Sequence, residues 1–243
     1  MSIKNTKTRL FIPAPLQMNV EIQLSSDQAH FLGKVLRLKL GDRVAVFNEN
    51  DGEWAGALTA LKKHNALLIL DQQTRKGKVE LGPWLAFAPL KKNRVQMVIE
   101  KATELGVRQL FPVITENTIG GRVNRDRMMA NALEAAEQCE RLSVPEINKA
   151  QSLNDLLSNW PKTRCLLVGD ETGSGAPIAD IVSSKDEKFE DYGILIGPEG
   201  GFKPVELEHI KAQEFSILMD LGPRILRAET AAIVAIASLM ALT

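Results

Sequence analysis

Up to about residue 80 the apolar positions come in short alternating runs parted by turn-forming clusters, the period-two pattern of half-buried strands. Arg9 to Ile12, Val20 to Leu24, Arg43 to Phe47, Glu53 to Leu61 and Ala66 to Leu70 read as β segments. The cluster Asn48-Glu49-Asn50-Asp51-Gly52 suits a hairpin connection, because Asn, Asp and Gly tolerate positive φ. One short helix interrupts the strands from Asp27 to about Leu36, with Ser25, Ser26 or Asp27 placed to cap its first amides. This half of the pattern predicts a small barrel.

Beyond the turn-like stretch from Thr74 to Pro83 the texture changes to apolar runs alternating with helical periodicity, the pattern of βα units around a parallel sheet. Strands are expected at Trp84 to Ala88, Leu110 to Ile114, Cys165 to Val168, Gly193 to Ile196 and Phe215 to Met219. Helices are expected from Asn93 to Leu105, from about Asn124 to Arg141 and from Leu153 to Trp160. The last segment, Ala231 to Leu242, is apolar on every face, which predicts a helix surrounded by neighbours, a second subunit among them. The change of texture places a domain boundary between residues 78 and 79: a β-barrel domain over 1–78 and an α/β domain over 79–243.

Composition adds boundaries to this picture. A chain of 243 residues with 44% hydrophobic and 25% charged content is ordinary for globular protein with a real core. No stretch has the roughly 18 uncharged apolar residues that would span a bilayer, and the first residues lack a signal's apolar core, so the chain reads as cytoplasmic with no membrane partner. Cys139 and Cys165 have no redox or metal-ligand spacing and His30, His64 and His209 are scattered, so no metal is expected. The net charge of zero hides an asymmetry. Residues 1–127 hold 20 Lys/Arg against 12 Asp/Glu, and the remainder holds 10 against 18, so the first half is the one that can attract phosphate.

Two segments carry candidate chemistry. The expected strand Gly193 to Ile196 runs into Gly197-Pro198-Glu199-Gly200-Gly201-Phe202, and the strand Phe215 to Met219 runs into Asp220-Leu221-Gly222-Pro223-Arg224-Ile225-Leu226-Arg227-Ala228-Glu229-Thr230. In open α/β sheets ligands bind beyond the carboxyl ends of strands, where both loops sit. Alone, the first loop fits a structural turn as well as a ligand loop. Its spacing matches neither a Walker A loop nor a dinucleotide fingerprint, and Glu199 within it disfavours a phosphate ligand. Two such loops can clamp one ligand. Arg224, Arg227 and Glu229 lie against an apolar helix, where a charge is costly unless paired or functional, and Arg227 with Glu229 also fits a structural pair.

These two loops closely resemble the signature of the SPOUT, or α/β-knot, methyltransferases. More narrowly, the chain resembles the family that methylates N3 of a uridine in bacterial small-subunit (16S) ribosomal RNA. His30-Phe31-Leu32-Gly33-Lys34-Val35-Leu36-Arg37, Lys101-Ala102-Thr103-Glu104-Leu105-Gly106-Val107 and Glu137-Gln138-Cys139-Glu140-Arg141 match it as well, so the likeness runs over nearly the whole chain. The resemblance implies an N-terminal PUA-like RNA-binding barrel and a C-terminal parallel-sheet α/β domain closed by a trefoil knot. It implies S-adenosylmethionine (SAM) as cofactor, small-subunit ribosomal RNA as partner and a homodimer. The implied cofactor shell is Val168, Gly169, Ile196, Gly197, Pro198, Glu199, Gly200, Gly201, Leu221, Gly222, Ile225, Leu226 and Arg227. Three departures stand out: Lys203 where a helix-capping Ser is common, Ala228 where Thr is usual, and Glu140 in place of a frequent Gly.

Uracil N3 lies on the Watson–Crick edge and carries a proton, so its methylation needs an unpaired or flipped base and either a positioned base or cations that stabilise the uracil anion. Arg9, Arg94 and Arg227 are the candidate cations, and Glu199 and Glu229 the candidate proton acceptors. RNA contacts are expected from Arg9, Lys34, Arg37, Lys39, Arg94, Arg122, Arg125 and Arg127. Competing readings are a methyltransferase of the same fold acting elsewhere on ribosomal or transfer RNA, and an assembly factor that binds RNA without turnover.

Overall fold

The alternating pattern of the first 75 residues becomes a five-stranded sheet built from β1 (Arg9–Phe11), β2 (Glu21–Leu24), β3 (Arg43–Asn48), β4 (Gly52–Lys62) and β5 (Asn65–Arg75). Their order is β1-β3-β4-β5-β2, with β1 parallel to β3 and the other neighbours antiparallel. The pairing of β4 with β5 shifts register at Glu53/Trp54, Ala55/Gly56 and Leu58/Ala60, and such bulges bend and twist a strand, which curls the sheet. Leu10, Ile22, Leu24, Val44, Val46, Leu58, Leu68 and Leu70 fill its concave side. The computed structural model describes residues 6–119, 123–184 and 189–243.

The expected helix after Ser25 is in two parts. Helix α1 (Ser26–His30) is capped by the Ser25 hydroxyl, which accepts from the Gln28 amide at 3.2 Å. A single π-helical turn, Phe31–Val35, follows, and Arg37 then takes a left-handed backbone at φ 56°. The turn leaves Lys34, Val35, Leu36, Arg37, Lys39 and Leu40 exposed together.

From residue 81 the chain builds a parallel sheet from β6 (Trp84–Phe87), β7 (Gln109–Ile114), β8 (Glu146–Ile147), β9 (Gln151–Ser152), β10 (Arg164–Gly169), β11 (Ala176–Pro177), β12 (Asp191–Ile196) and β13 (Ser216–Asp220). The order is β11-β13-β10-β12-β6-β7-β8, with β9 paired to β7 beyond β8's reach. Helices α2 (Lys92–Glu104), α5 (Ile178–Ser183) and α7 (Ala228–Leu242) pack together along one side. On the other side α4 (Leu153–Asn159) and α6 (Pro204–Lys211) cover Ala86, Val113, Leu166, Val168 and Leu195. Helix α3 (Arg125–Gln138) ends three residues before the Arg141 that its periodicity suggested, because Glu140 sits at φ 61°, a conformation a right-handed helix cannot contain. Helix α7 begins three residues before the apolar run and takes in Glu229.

The chain divides into two compact units, 1–80 with 136–144, and 81–135 with 145–243. The segment 136–144 therefore belongs to the first unit, which a single cut between 78 and 79 does not express. Among the described residues no helix is long and apolar enough to cross a membrane.

Candidate active site: a cleft at three strand ends

Strands β10, β12 and β13 are neighbours in the second unit and point the same way, so the loops that leave them meet beyond one end of the sheet. They enclose a cleft of about 640 Å³, within the range of small-molecule sites, roughly 300–1,000 Å³. Its walls come from Gly169 to Gly173, from Ile196 to Phe202 without Gly200, and from Asp220 to Ala228, with Arg94 and Ala231 closing the side next to the helices.

Each wall is held in shape by local bonds. After β12 the Gly201 amide donates to the Pro198 carbonyl at 2.9 Å, and the Phe202 ring folds back over Gly197. Gly201 has φ 67°, a backbone conformation that favours glycine; a Cβ there would meet only the flexible end of the Glu171 side chain. The Asn117 side-chain amide donates to the carbonyls of Gly200 and Gly201, both at 3.0 Å, which turns the Gly200 carbonyl toward β7's loop and leaves that residue out of the cleft. After β10 the Asp170 carboxylate accepts from the hydroxyls and amides of Thr172 and Ser174 at 2.7–3.0 Å. Burial pushes the Asp170 carboxyl up, but these hydrogen bonds outweigh it and hold the group below its usual range. After β13 the Asp220 side chain accepts the Gly222 amide at 2.9 Å.

The charges of the cleft are mixed. Arg94, Arg224 and Arg227 face Asp170, Glu171, Glu199 and Asp220 across its walls. Arg94, on the first turn of α2, pairs with Glu199 and lies 3.5 Å from Glu229 Oε1. Glu229, on the first turn of α7, is only 7% exposed, and its Oε2 has no hydrogen-bond partner among the described residues. A cation thus sits between two carboxylates, one in the cleft and one buried behind it.

Most of the expected shell comes together here: Gly169, Ile196, Gly197, Pro198, Glu199, Gly201, Leu221, Gly222, Ile225, Leu226 and Arg227 all line the cleft. Val168 does not. It is the fifth residue of β10, fully buried in the core against α4 and α6, because side chains alternate along a strand and its neighbour Gly169 takes the cleft. Sequence reasoning missed Asn117 and Asp170, whose signal is only that Asn and Asp bond to backbone in turns.

Arg9 belongs to the first unit and has a different part from the one expected. Its Nε donates to Glu53 at 2.5 Å, Nη1 to the Ala136 carbonyl at 2.7 Å and Nη2 to the Arg141 carbonyl at 2.5 Å, and the guanidinium lies 3.4 Å from the centre of the Phe47 ring. Arg9 is 8% exposed and Glu53 is fully buried. Burial pulls the Arg9 guanidinium below its ordinary value while Glu53 acts to raise it. The residue joins β1 to the segment 136–144, so its buried guanidinium is engaged within the first unit and does not line the cleft. Lys34, Arg37, Lys39, Arg125 and Arg127 are exposed; Arg125 also donates to the Ile147 carbonyl at 2.6 Å. Arg122 lies outside the described residues.

Comparison with known proteins agrees with this geometry. A family model for an RNA methyltransferase domain matches residues 79–240, and one for an RNA methyltransferase PUA domain matches residues 24–71. The fold and the cleft therefore define an RNA methyltransferase that carries a PUA domain. A ribosomal RNA small subunit methyltransferase E from Rickettsia conorii is 36% identical over 230 residues, 94% of this chain and 93% of the relative. The one from Bacillus subtilis is 27% identical over 89% of this chain and 88% of its own. The chain belongs to the ribosomal RNA small subunit methyltransferase E family. Among solved structures, the Neisseria gonorrhoeae member bound to SAM superposes with a TM-score of 0.84 at 24% identity, covering 97% of each chain. A Legionella pneumophila structure with bound SAM gives 0.81 at 26% identity, covering 96% of this chain and 97% of the other.

Proposed function

We propose that this chain transfers the methyl group of SAM to N3 of a specific uridine in 16S ribosomal RNA, acting as a homodimer in the cytoplasm. The observation that supports the reading best is the cleft at the ends of β10, β12 and β13. Its size and its mixed charge suit a ligand that is itself both cationic and anionic, and four carboxylates among its walls disfavour a polyphosphate. Relatives over nearly the whole chain are named as small-subunit RNA methyltransferases, and the SAM-bound structures superpose on it.

The glycine loop after β12 and the loop after β13 would hold SAM, with Leu221, Ile225 and Leu226 supplying apolar contact. SAM supplies an already activated methyl group, so what the protein must add is position and a way to remove the N3 proton. Arg94 and Arg227 face the cleft and are the cations placed to stabilise a uracil anion. Glu199 shares that space and pairs with Arg94, and is the candidate acceptor of the N3 proton; Glu229 holds Arg94 from behind. Lys34, Arg37 and Lys39 in the first unit, and Arg125 and Arg127 in the second, are the exposed cations placed for phosphate. The apolar helix α7, with Met240 and Leu242 each 43% exposed, supports a second copy as its neighbour.

The test is methyl transfer from labelled SAM to free 16S RNA and to small subunits from a strain lacking this protein, with the product nucleoside identified by mass spectrometry. N3-methyluridine is the expected product. A methylated ribose or guanine would redirect the activity to another position, and SAM binding without transfer to either substrate would make the chain an assembly factor.

A further inference from the structure

A second cavity, of about 420 Å³, opens in the same unit between β7 and α4, and the cofactor cleft does not extend to it. Its floor is aromatic. Trp84 and Phe111 are half-buried with ring centres 5.2 Å apart, and Trp160 meets Trp84 at 5.4 Å and Phe111 at 5.9 Å, both edge-on. The cluster is fixed from below: the Trp160 indole donates to the Arg164 carbonyl at 2.8 Å and comes so close to β12 that a Cβ at Gly193 would overlap its ring. A core needs no such opening, since aromatic side chains gain most from complete burial.

The rim is of a different chemistry. Arg125 and Lys149 are exposed there against the single carboxylate of Glu146. Gln151 presents a side-chain amide with no hydrogen-bond partner among the described residues, while the Asn148 amide nitrogen is held by Gln109 and the Leu110 carbonyl. The Arg164 guanidinium lies over the Trp84 ring, 4.1 Å from its centre, so that face is already covered and the cavity is met by the rest of the aromatic cluster. Flat rings to stack on, amides to meet polar edges and cations at the mouth are what a protein offers to an unpaired nucleobase and its phosphate.

We propose that this cavity binds an unpaired nucleotide of the substrate RNA other than the one that is methylated. The position requires the second half of that statement. Trp84 opens β6 and Phe87 closes it beside Ile196, where the cofactor loop begins, so three strand rises, roughly 10 Å, part the aromatic floor from the level of that loop. A base in this cavity is out of reach of the methyl donor. It would instead fix the register of the strand, so that the target base arrives at the cleft already aligned. This assignment rests on RNA being the substrate.

The test measures methyl transfer and binding separately. Trp84→Leu is expected to raise the KM for RNA roughly 10-fold, in keeping with the roughly 5- to 150-fold range of a lost base stack, while the affinity for SAM holds. Trp84→Phe, which keeps a ring, restores most of the loss. In the wild-type protein, tryptophan emission is quenched by an unpaired oligoribonucleotide of about ten residues, less by a duplex of the same sequence, and the Trp84→Leu protein loses that quench. Wild-type KM and wild-type quench in Trp84→Leu overturn the proposal, as does equal quenching by duplex. Should Trp84→Leu lose SAM binding through misfolding, the exposed Lys149→Glu and the amide change Gln151→Ala carry the same test, with a severalfold rise expected and no change overturning it. Absence of transfer by the wild-type protein would refute the methylation reading instead, and the quench titration would still decide the cavity.

Discussion

Arg9 and Arg94 are both arginines set against glutamates, and the protein treats them in opposite ways. Around Arg9 each of the three guanidinium nitrogens has an acceptor, the partner carboxylate is wholly buried, and the Thr74 hydroxyl donates to its other oxygen at 2.8 Å. Around Arg94 the pair with Glu199 is about a third exposed on both sides, and the second partner, Glu229, keeps one buried oxygen without a donor. A buried charge costs several kcal/mol unless its hydrogen bonds are complete, so the first arrangement is built to stay as it is. The second leaves cation and carboxylate room for something else to enter, and that incompleteness separates a working site from a structural joint.

Three changes would break or sharpen the contrast. The largest effect is expected from Glu53→Ala, which strands the Arg9 charge in the core and should cost about 3–5 kcal/mol of stability in urea unfolding; a loss below about 1 kcal/mol would mean that the joint is not a joint. Next is Arg94→Ala. Here single-turnover methyl transfer should fall about 10²- to 10³-fold, as when a donor to a developing anion is removed, while unfolding changes less than in Glu53→Ala and SAM affinity moves little. Turnover equal to wild type would place Arg94 among ordinary helix charges. The smallest is Glu140→Gly. Glu140 sits at φ 61° while its carbonyl accepts from Arg75 at 2.5 Å, beside the Arg141 carbonyl that holds Arg9. Relief of the left-handed backbone, about 1–2 kcal/mol, exceeds the added chain entropy of glycine, so a gain of about 0.5–1 kcal/mol in unfolding free energy is expected; a loss would show that the Glu140 side chain itself supports the network.

All five strands of the first unit were legible in the alternation of its apolar positions, whereas the second unit was legible only in its longer elements. Strands β6, β7, β10, β12 and β13 and helix α7 follow from apolar runs long enough to set a period, and the two glycine-proline loops after β12 and β13 mark where they end. The two-residue strands β8, β9 and β11 carry no period at all; they exist only because a neighbouring strand offers them hydrogen bonds. Helices α5 and α6, of six and eight residues, are too short to show a face. In the site, the residues that line the cleft were readable because loop and strand end are adjacent in sequence. Those that brace it were not, since Asn117 lies 83 residues from the Gly200 carbonyl it holds. The joint made by Arg9 was hidden for the same reason: the arginine and the Glu53 that binds it are 44 residues apart.

The first unit is also discontinuous, and this bears on how the polypeptide is made. Residues 1–80 supply the curled sheet, but two of Arg9's three acceptors are carbonyls of Ala136 and Arg141, and Phe47 packs against Ala136 and Leu142. On a ribosome the amino-terminal part emerges first and domains usually close in that order. This one cannot finish until residue 144 has left the exit tunnel, by which time two of the other unit's eight strands, β6 and β7, are already outside. For the same reason the first unit is not a cassette that recombination could lift out at residue 80 and join to a different partner; the last turn of α3 and the loop behind it would have to travel with it.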